Sequence, residues 1–110
     1  MYIIGLMSGT SADAIDAALC EMQGEPPLIK IRTVKAITYP YPDGFQTRIW
    51  DACLPAKSHV DTVCQLNFDM GELFAAAALK VIEEAGGQLI ILKRDSEHST
   101  SNIIQRIKAL

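Results

Sequence analysis

Apolar and polar positions along this chain follow two periods, and the switch between them outlines a fold. Tyr2-Ile3-Ile4-Gly5-Leu6-Met7 is an almost unbroken apolar run and predicts a first strand. Residues 14–22 predict a second strand returning antiparallel, with Ile15, Ala17 and Leu19 on one face and Ala18, Cys20 and Met22 on the other. Apolar residues on both faces predict that this strand is covered on both sides. Residues 23–27 (QGEPP) make a turn. Residues 28–39 predict a third strand in which Ile29, Ile31, Ile37 and Tyr39 share a face and Lys30 and Arg32 lie opposite. Lys35 interrupts that apolar face, which predicts a bulge or an edge position. A solvated edge accounts for Lys30, Arg32 and Lys35 better than a phosphate patch does, because lysines on an edge block unwanted strand pairing.

The period then lengthens. Pro40 and Pro42 end the strand, and Asp43 with Gln46 three residues on reads as a capping box. Phe45, Ile49 and Cys53 recur every four residues on a short helix that Pro55 stops, with Trp50 beside the stripe as a packing residue. Ser58 and Asp61 repeat the capping signature. Val63, Leu66, Met70, Leu73, Phe74, Ala77 and Val81 then trace a long core helix ending at Ala85, with Gly86 as its C′ residue. A break near Asn67 or Gly71 would divide it, and the small run 75–78 permits close approach to a strand. Residues 89–92 read as a short buried strand and residues 95–101 as a polar loop. Ile103, Ile104, Ile107 and Leu110 read as the stripe of a last helix capped by Ser101 or Asn102.

Composition narrows the picture. A chain of 110 residues has room for one small domain and is short for a two-lobed enzyme. Hydrophobic residues at 49% with 21% charged argue against disorder. A net charge of -3 without a strongly basic stretch points away from nucleic acid, and no apolar run nears the roughly 18 residues of a membrane span. The N-terminus lacks a charged segment before its apolar run, so it reads as a strand rather than a signal peptide, and a cytoplasmic protein is expected. Cys20, Cys53 and Cys64 are odd in number and widely spaced, which fits reduced, buried thiols. His59 and His98 alone do not make a metal cluster.

Candidate chemistry lies between the first two strands. Ser8-Gly9-Thr10-Ser11 gives the backbone freedom to aim N–H groups at one spot, and three hydroxyls add donors, so the turn suits a phosphate. Asp13 and Asp16 lie just beyond and suit a hydrated magnesium ion. An ordinary hairpin with common turn residues accounts for the same spacing. Other catalytic patterns fail: there is no G-K-[ST], and Gly5 stands one place too early before Ser8 for a nucleophile elbow.

Met7 to Leu19, read as MSGTSADAIDAAL, closely resembles the N-terminal signature of the anhydro-N-acetylmuramic acid kinases, MSGTSxDGxDxAL. The stretch QLNFDMGELFA, residues 65–75, is similar to that family's first long helix, and the likeness covers about the first 86 residues. The resemblance implies an α/β fold of the actin, sugar-kinase and heat-shock-chaperone ATPase superfamily. Its expected form is a ribonuclease-H-like half-lobe, with three antiparallel strands followed by helices and a further parallel strand. It implies ATP and Mg2+ as cofactors, with Gly9, Thr10, Ser11, Ala12, Asp13, Ala14, Ile15 and Asp16 forming the ATP segment and Asp13 and Asp16 reaching the metal through water. It further implies phosphorylation of 1,6-anhydro-N-acetylmuramic acid with ring opening. Water attacks the anomeric carbon, and the freed oxygen takes the phosphoryl group.

This chain departs from the family pattern in places. Ala14 stands where Gly is usual, and Ala12 replaces a larger apolar residue. The family's G-x-H-G-Q-T element corresponds to Lys93-Arg94-Asp95-Ser96-Glu97-His98-Ser99-Thr100, which lacks the glycines, so that role is not carried over. The family's general base, second phosphate loop and adenosine-binding lobe match positions beyond Leu110, so no catalytic residue is assigned and the chain reads as an N-terminal fragment. Residues 1–86 hold 6 basic and 11 acidic side chains and residues 87–110 hold 4 and 2, so the charge changes sign where the likeness stops. The division expected is a kinase-lobe part, 1–86, and a divergent strand-helix tail, 87–110, completing the same domain. The alternative to a kinase fragment is a catalytically silent module that forms homo-oligomers, or binds a partner, through exposed apolar surface.

Overall fold

A computed structural model describes residues 1–90 and the backbone of residues 91–93 and 103–108. Strands β1 (Tyr2–Ser8), β2 (Ala14–Gln23) and β3 (Lys30–Pro40) form one antiparallel sheet in that order. Helices α1 (Phe45–Ala52) and α2 (Val60–Glu84) follow. Strands β4 (Gln88–Lys93) and β5 (Ile103–Lys108) make a separate two-stranded sheet.

Register decides which side chains meet. Ile4 lies opposite Leu19, Ser8 opposite Ile15, Ile37 opposite Ala17 and Tyr39 opposite Ile15. Directly opposed residues share a face, so these positions line one side of the sheet. α2 packs on that side: Ile15, Ala17, Leu19, Ala77 and Val81 form the core, with Ile4, Ile37, Tyr39, Leu73 and Phe74 around it. Ala77 is fully buried, as expected of a small residue that lets a helix backbone approach a sheet. The opposite face departs from the expectation of cover on both sides. Ile3, Met7 and Asp16 are exposed there, and Ala18 and Cys20 are half-buried, because the described helices pack on one side only.

The bulge expected near Lys35 is present. Lys35 pairs with Leu19 but Thr33 pairs with Cys20, which leaves Val34 as the extra residue. One inserted residue reverses the facing of everything before it. Ile31 therefore lies opposite Met22 rather than sharing the face of Ile37 and Tyr39, and it is exposed. Lys35 reaches Glu84 in the last turn of α2 at 4.0 Å, a half-exposed pair of small energetic weight.

Both capping signatures are corrected. The N-cap of α1 is Gly44, with a left-handed φ of 85°, and that of α2 is His59; neither makes a side-chain cap. Gln46 is drawn elsewhere, and Asp61 accepts from the N–H of Thr62. α2 runs through Asn67 and Gly71 without a break. Its end follows expectation: Gly86 has φ 81°, its N–H donates to the Glu83 carbonyl and that of Gly87 to the Ile82 carbonyl. That pair of bonds is the Schellman arrangement, which suits glycine. Trp50 is exposed rather than packed, and Cys53 and Cys64 are exposed rather than buried.

The end of the described chain also differs. β4 does not join the first sheet as a parallel strand, and residues 103–108 are a strand rather than a helix; the two pair antiparallel, with Leu89 opposite Ile107 and Leu92 opposite Ile104. Three isoleucines in six residues favour an extended chain once a partner strand is present, which a helical reading of their spacing overlooked. The expected polar loop at residues 95–101 lies outside the described residues.

Candidate functional site

Residues 9–13 join β1 to β2. The N–H of Ala12 donates to the Gly9 carbonyl at 3.0 Å, closing a β-turn with Thr10 and Ser11 at its corners. Ala12 carries a φ of 52°, a left-handed conformation that costs a residue with a Cβ about 1 kcal/mol or more. Its methyl is buried, which offsets part of that cost.

The Ala12 donor is thus spent inside the turn and is not open to a ligand. Thr10 and Ser11 make no backbone N–H bond to the described residues. Gly9 lies outside the positive-φ region, and a Cβ built on it meets nothing within 4 Å. Gly9 therefore borders open space, and its value to the turn is room rather than conformation.

The two aspartates sit differently. Asp13 accepts at Oδ1 from the Ser11 hydroxyl at 2.8 Å. Asp16 stands on β2, opposite Met7 and Thr38, and accepts at Oδ1 from the Thr38 hydroxyl at 2.9 Å. Both are exposed. Asp16 also borders a shallow hollow on the bare face, where Gly5, Ala18 and Ala36 leave room between Met7 and Thr38. Ile15, between them, points into the core and is fully buried, so only its backbone is available to a ligand. Ala14 is half-buried. Among the described residues no group of three or more His, Cys, Asp or Glu could hold a metal directly. Two carboxylates of this kind suit a metal held through its own waters.

Sequence reasoning missed the residues that fix the turn. The Tyr41 hydroxyl donates to Ser8 Oγ at 2.7 Å, and its backbone N–H donates to the Asp13 carbonyl at 3.0 Å. Gln46 Nε2 donates to the Ser11 carbonyl at 2.6 Å. α1, which carries Gln46, is seated by its neighbours: Tyr41 and Phe45 rings lie 4.9 Å apart, and the Arg48 guanidinium lies 5.2 Å from the Phe45 centroid. Arg48 also donates to Asp69 on α2 at 2.7 Å. The bond from Arg48, followed by that from Gln65, holds the Asp69 carboxyl below the usual carboxylate range. Gln46 is three residues after Asp43, and that local signature hid its long-range partner.

The family profile described as anhydro-N-acetylmuramic acid kinase matches residues 1–90. A protein of that name from Caldanaerobacter subterraneus subsp. tengcongensis is 43% identical over 84 residues, covering 76% of this chain and 21% of the relative. One from Clostridioides difficile is 37% identical over 98 residues, covering 89% and 26%. One from Streptomyces coelicolor is 39% identical over 87 residues, covering 79% and 22%. The chain thus spans about a fifth to a quarter of the length of these relatives. No solved structure matches it. With the profile matched over most of its length, the chain belongs to the anhydro-N-acetylmuramic acid kinase family.

Proposed function

We propose that the turn at residues 8–13 is a phosphate cradle for ATP, serving phosphorylation of a 1,6-anhydro amino sugar with ring opening. The observation that carries this reading is the open space at Gly9 beside the unspent N–H groups of Thr10 and Ser11. Gly9, Thr10, Ser11, Ala12, Asp13, Ala14, Ile15 and Asp16 form the nucleotide segment, the last three chiefly as the start of β2. Asp13 and Asp16 would hold Mg2+ through water, each having one oxygen engaged by a neighbouring hydroxyl. The metal's charge neutralises the phosphates when bound; the chain's own part is to bind and orient them. A ribonuclease-H-like half-lobe, with residues 1–86 as the kinase-lobe part and residues 87–110 as a divergent tail completing the same domain, is supported by the three-stranded sheet and long helix. A cytoplasmic location follows from the use of ATP. Titration of the chain with MgATP, followed by NMR at residues 8–13, tests the cradle.

The bare sheet face favours a second reading for the 110-residue chain, self-association as a catalytically silent module. Ile3 is 38% and Met7 62% exposed on that face, and exposed apolar side chains on an uncovered sheet face support an interaction site. Sedimentation at high micromolar concentration is expected to show dimers or larger species. A clean monomer that binds no hydrophobic dye contradicts it.

A further inference from the structure

We propose that Gln46 and Tyr41 are positioning residues that set the shape of the phosphate-binding turn; the inference rests on the cradle reading above. Among the described residues, the backbone hydrogen bond made within the turn is that from Ala12 to Gly9. Its two sides are instead tied to one short segment, residues 41–46, that lies well beyond the second strand in sequence. Tyr41 holds the β1 side through Ser8 Oγ and the β2 side through the Asp13 carbonyl, and Gln46 holds the corner through the Ser11 carbonyl. The corner bond has a direct consequence for anion binding. Because the Ser11 carbonyl accepts from Gln46 Nε2, that oxygen is engaged by α1 rather than left to face a phosphate it would repel. The peptide that carries it is fixed with it. Because α1 is itself seated on α2 through Arg48 and Asp69, the turn inherits its geometry from the helical layer.

The test uses the full 110-residue chain labelled with nitrogen-15, as wild type, Gln46→Ala, Tyr41→Phe and, as a control one residue along on the exposed side of α1, Thr47→Ala. Backbone heteronuclear NOE values at Thr10 and Ser11 report the bracing without any ligand. Titration with magnesium pyrophosphate reports its consequence. Gln46→Ala and Tyr41→Phe are expected to lower the NOE values at the turn and to weaken pyrophosphate binding about three- to tenfold, the loss of one ordered hydrogen bond each. Melting should stay close to wild type, because Gln46 bonds at an exposed site and the Tyr41 ring remains. Thr47→Ala should change neither readout. Binding and NOE values like wild type in both variants overturn the positioning role while leaving the cradle standing. Absence of pyrophosphate shifts in the wild type overturns the cradle, and this role with it.

Discussion

Leu19→Ala is expected to remove about 2–5 kcal/mol of stability, the cost of deleting a buried leucine and leaving a cavity. Leu19 is fully buried and sits at the centre of β2, opposite Ile4 on β1 and Lys35 on β3. It faces the α2 surface that carries Ala77 and Val81. The core is small, so the site has few neighbours able to collapse into the gap. Small domains total roughly 5–15 kcal/mol, so this one change takes a large share. Thermal unfolding followed by circular dichroism reads it directly. A loss under about 1 kcal/mol would mean that β2 is not the centre of the core.

Gly24→Ala is expected to cost on the order of 2–4 kcal/mol, from positive-φ strain plus a steric clash. Gly24 has φ 90°, and a Cβ on it would lie 2.4 Å from the backbone oxygen of Leu28. That oxygen is part of the main chain and cannot swing aside as the end of a side chain would. The β2–β3 connection must therefore shift, and register near Gln23 and Lys30 shifts with it. Chemical denaturation checks the size of the effect, and an unchanged midpoint contradicts the turn geometry.

The elements best read from sequence were those in which local pattern and tertiary packing agree. Alternation over residues 14–22 and the later part of the helical stripe, Leu73 to Val81, name the core that the structure builds, whereas Val63 at the start of the stripe is exposed. Lys35 on an apolar face announced the bulge, but not that Ile31 would be turned outward, because facing depends on where the extra residue falls. The capping signatures failed where a glycine could start the helix and Gln46 found a partner 35 residues away. The isoleucines of β5 fit a helical stripe and a strand alike, and the partner strand decided between them. At the site, the motif marked the turn and its aspartates. It did not show that Ala12 spends its N–H inside the turn, or that Tyr41 and Gln46 hold it in place.

Residues 8–13 are proposed to bind phosphate through the space that Gly9 keeps open. The most direct measurement is MgATP titration followed by amide shifts, on wild type and Gly9→Ala, alongside their melting curves. Gly9→Ala should scarcely change stability, since its Cβ meets nothing within 4 Å and its φ is not positive, in contrast to Gly24. The account predicts saturable shifts at residues 8–13 in the wild type and their loss in Gly9→Ala at an unchanged melting point. No shifts in the wild type at millimolar MgATP, or identical binding by Gly9→Ala, would contradict it and leave an ordinary hairpin.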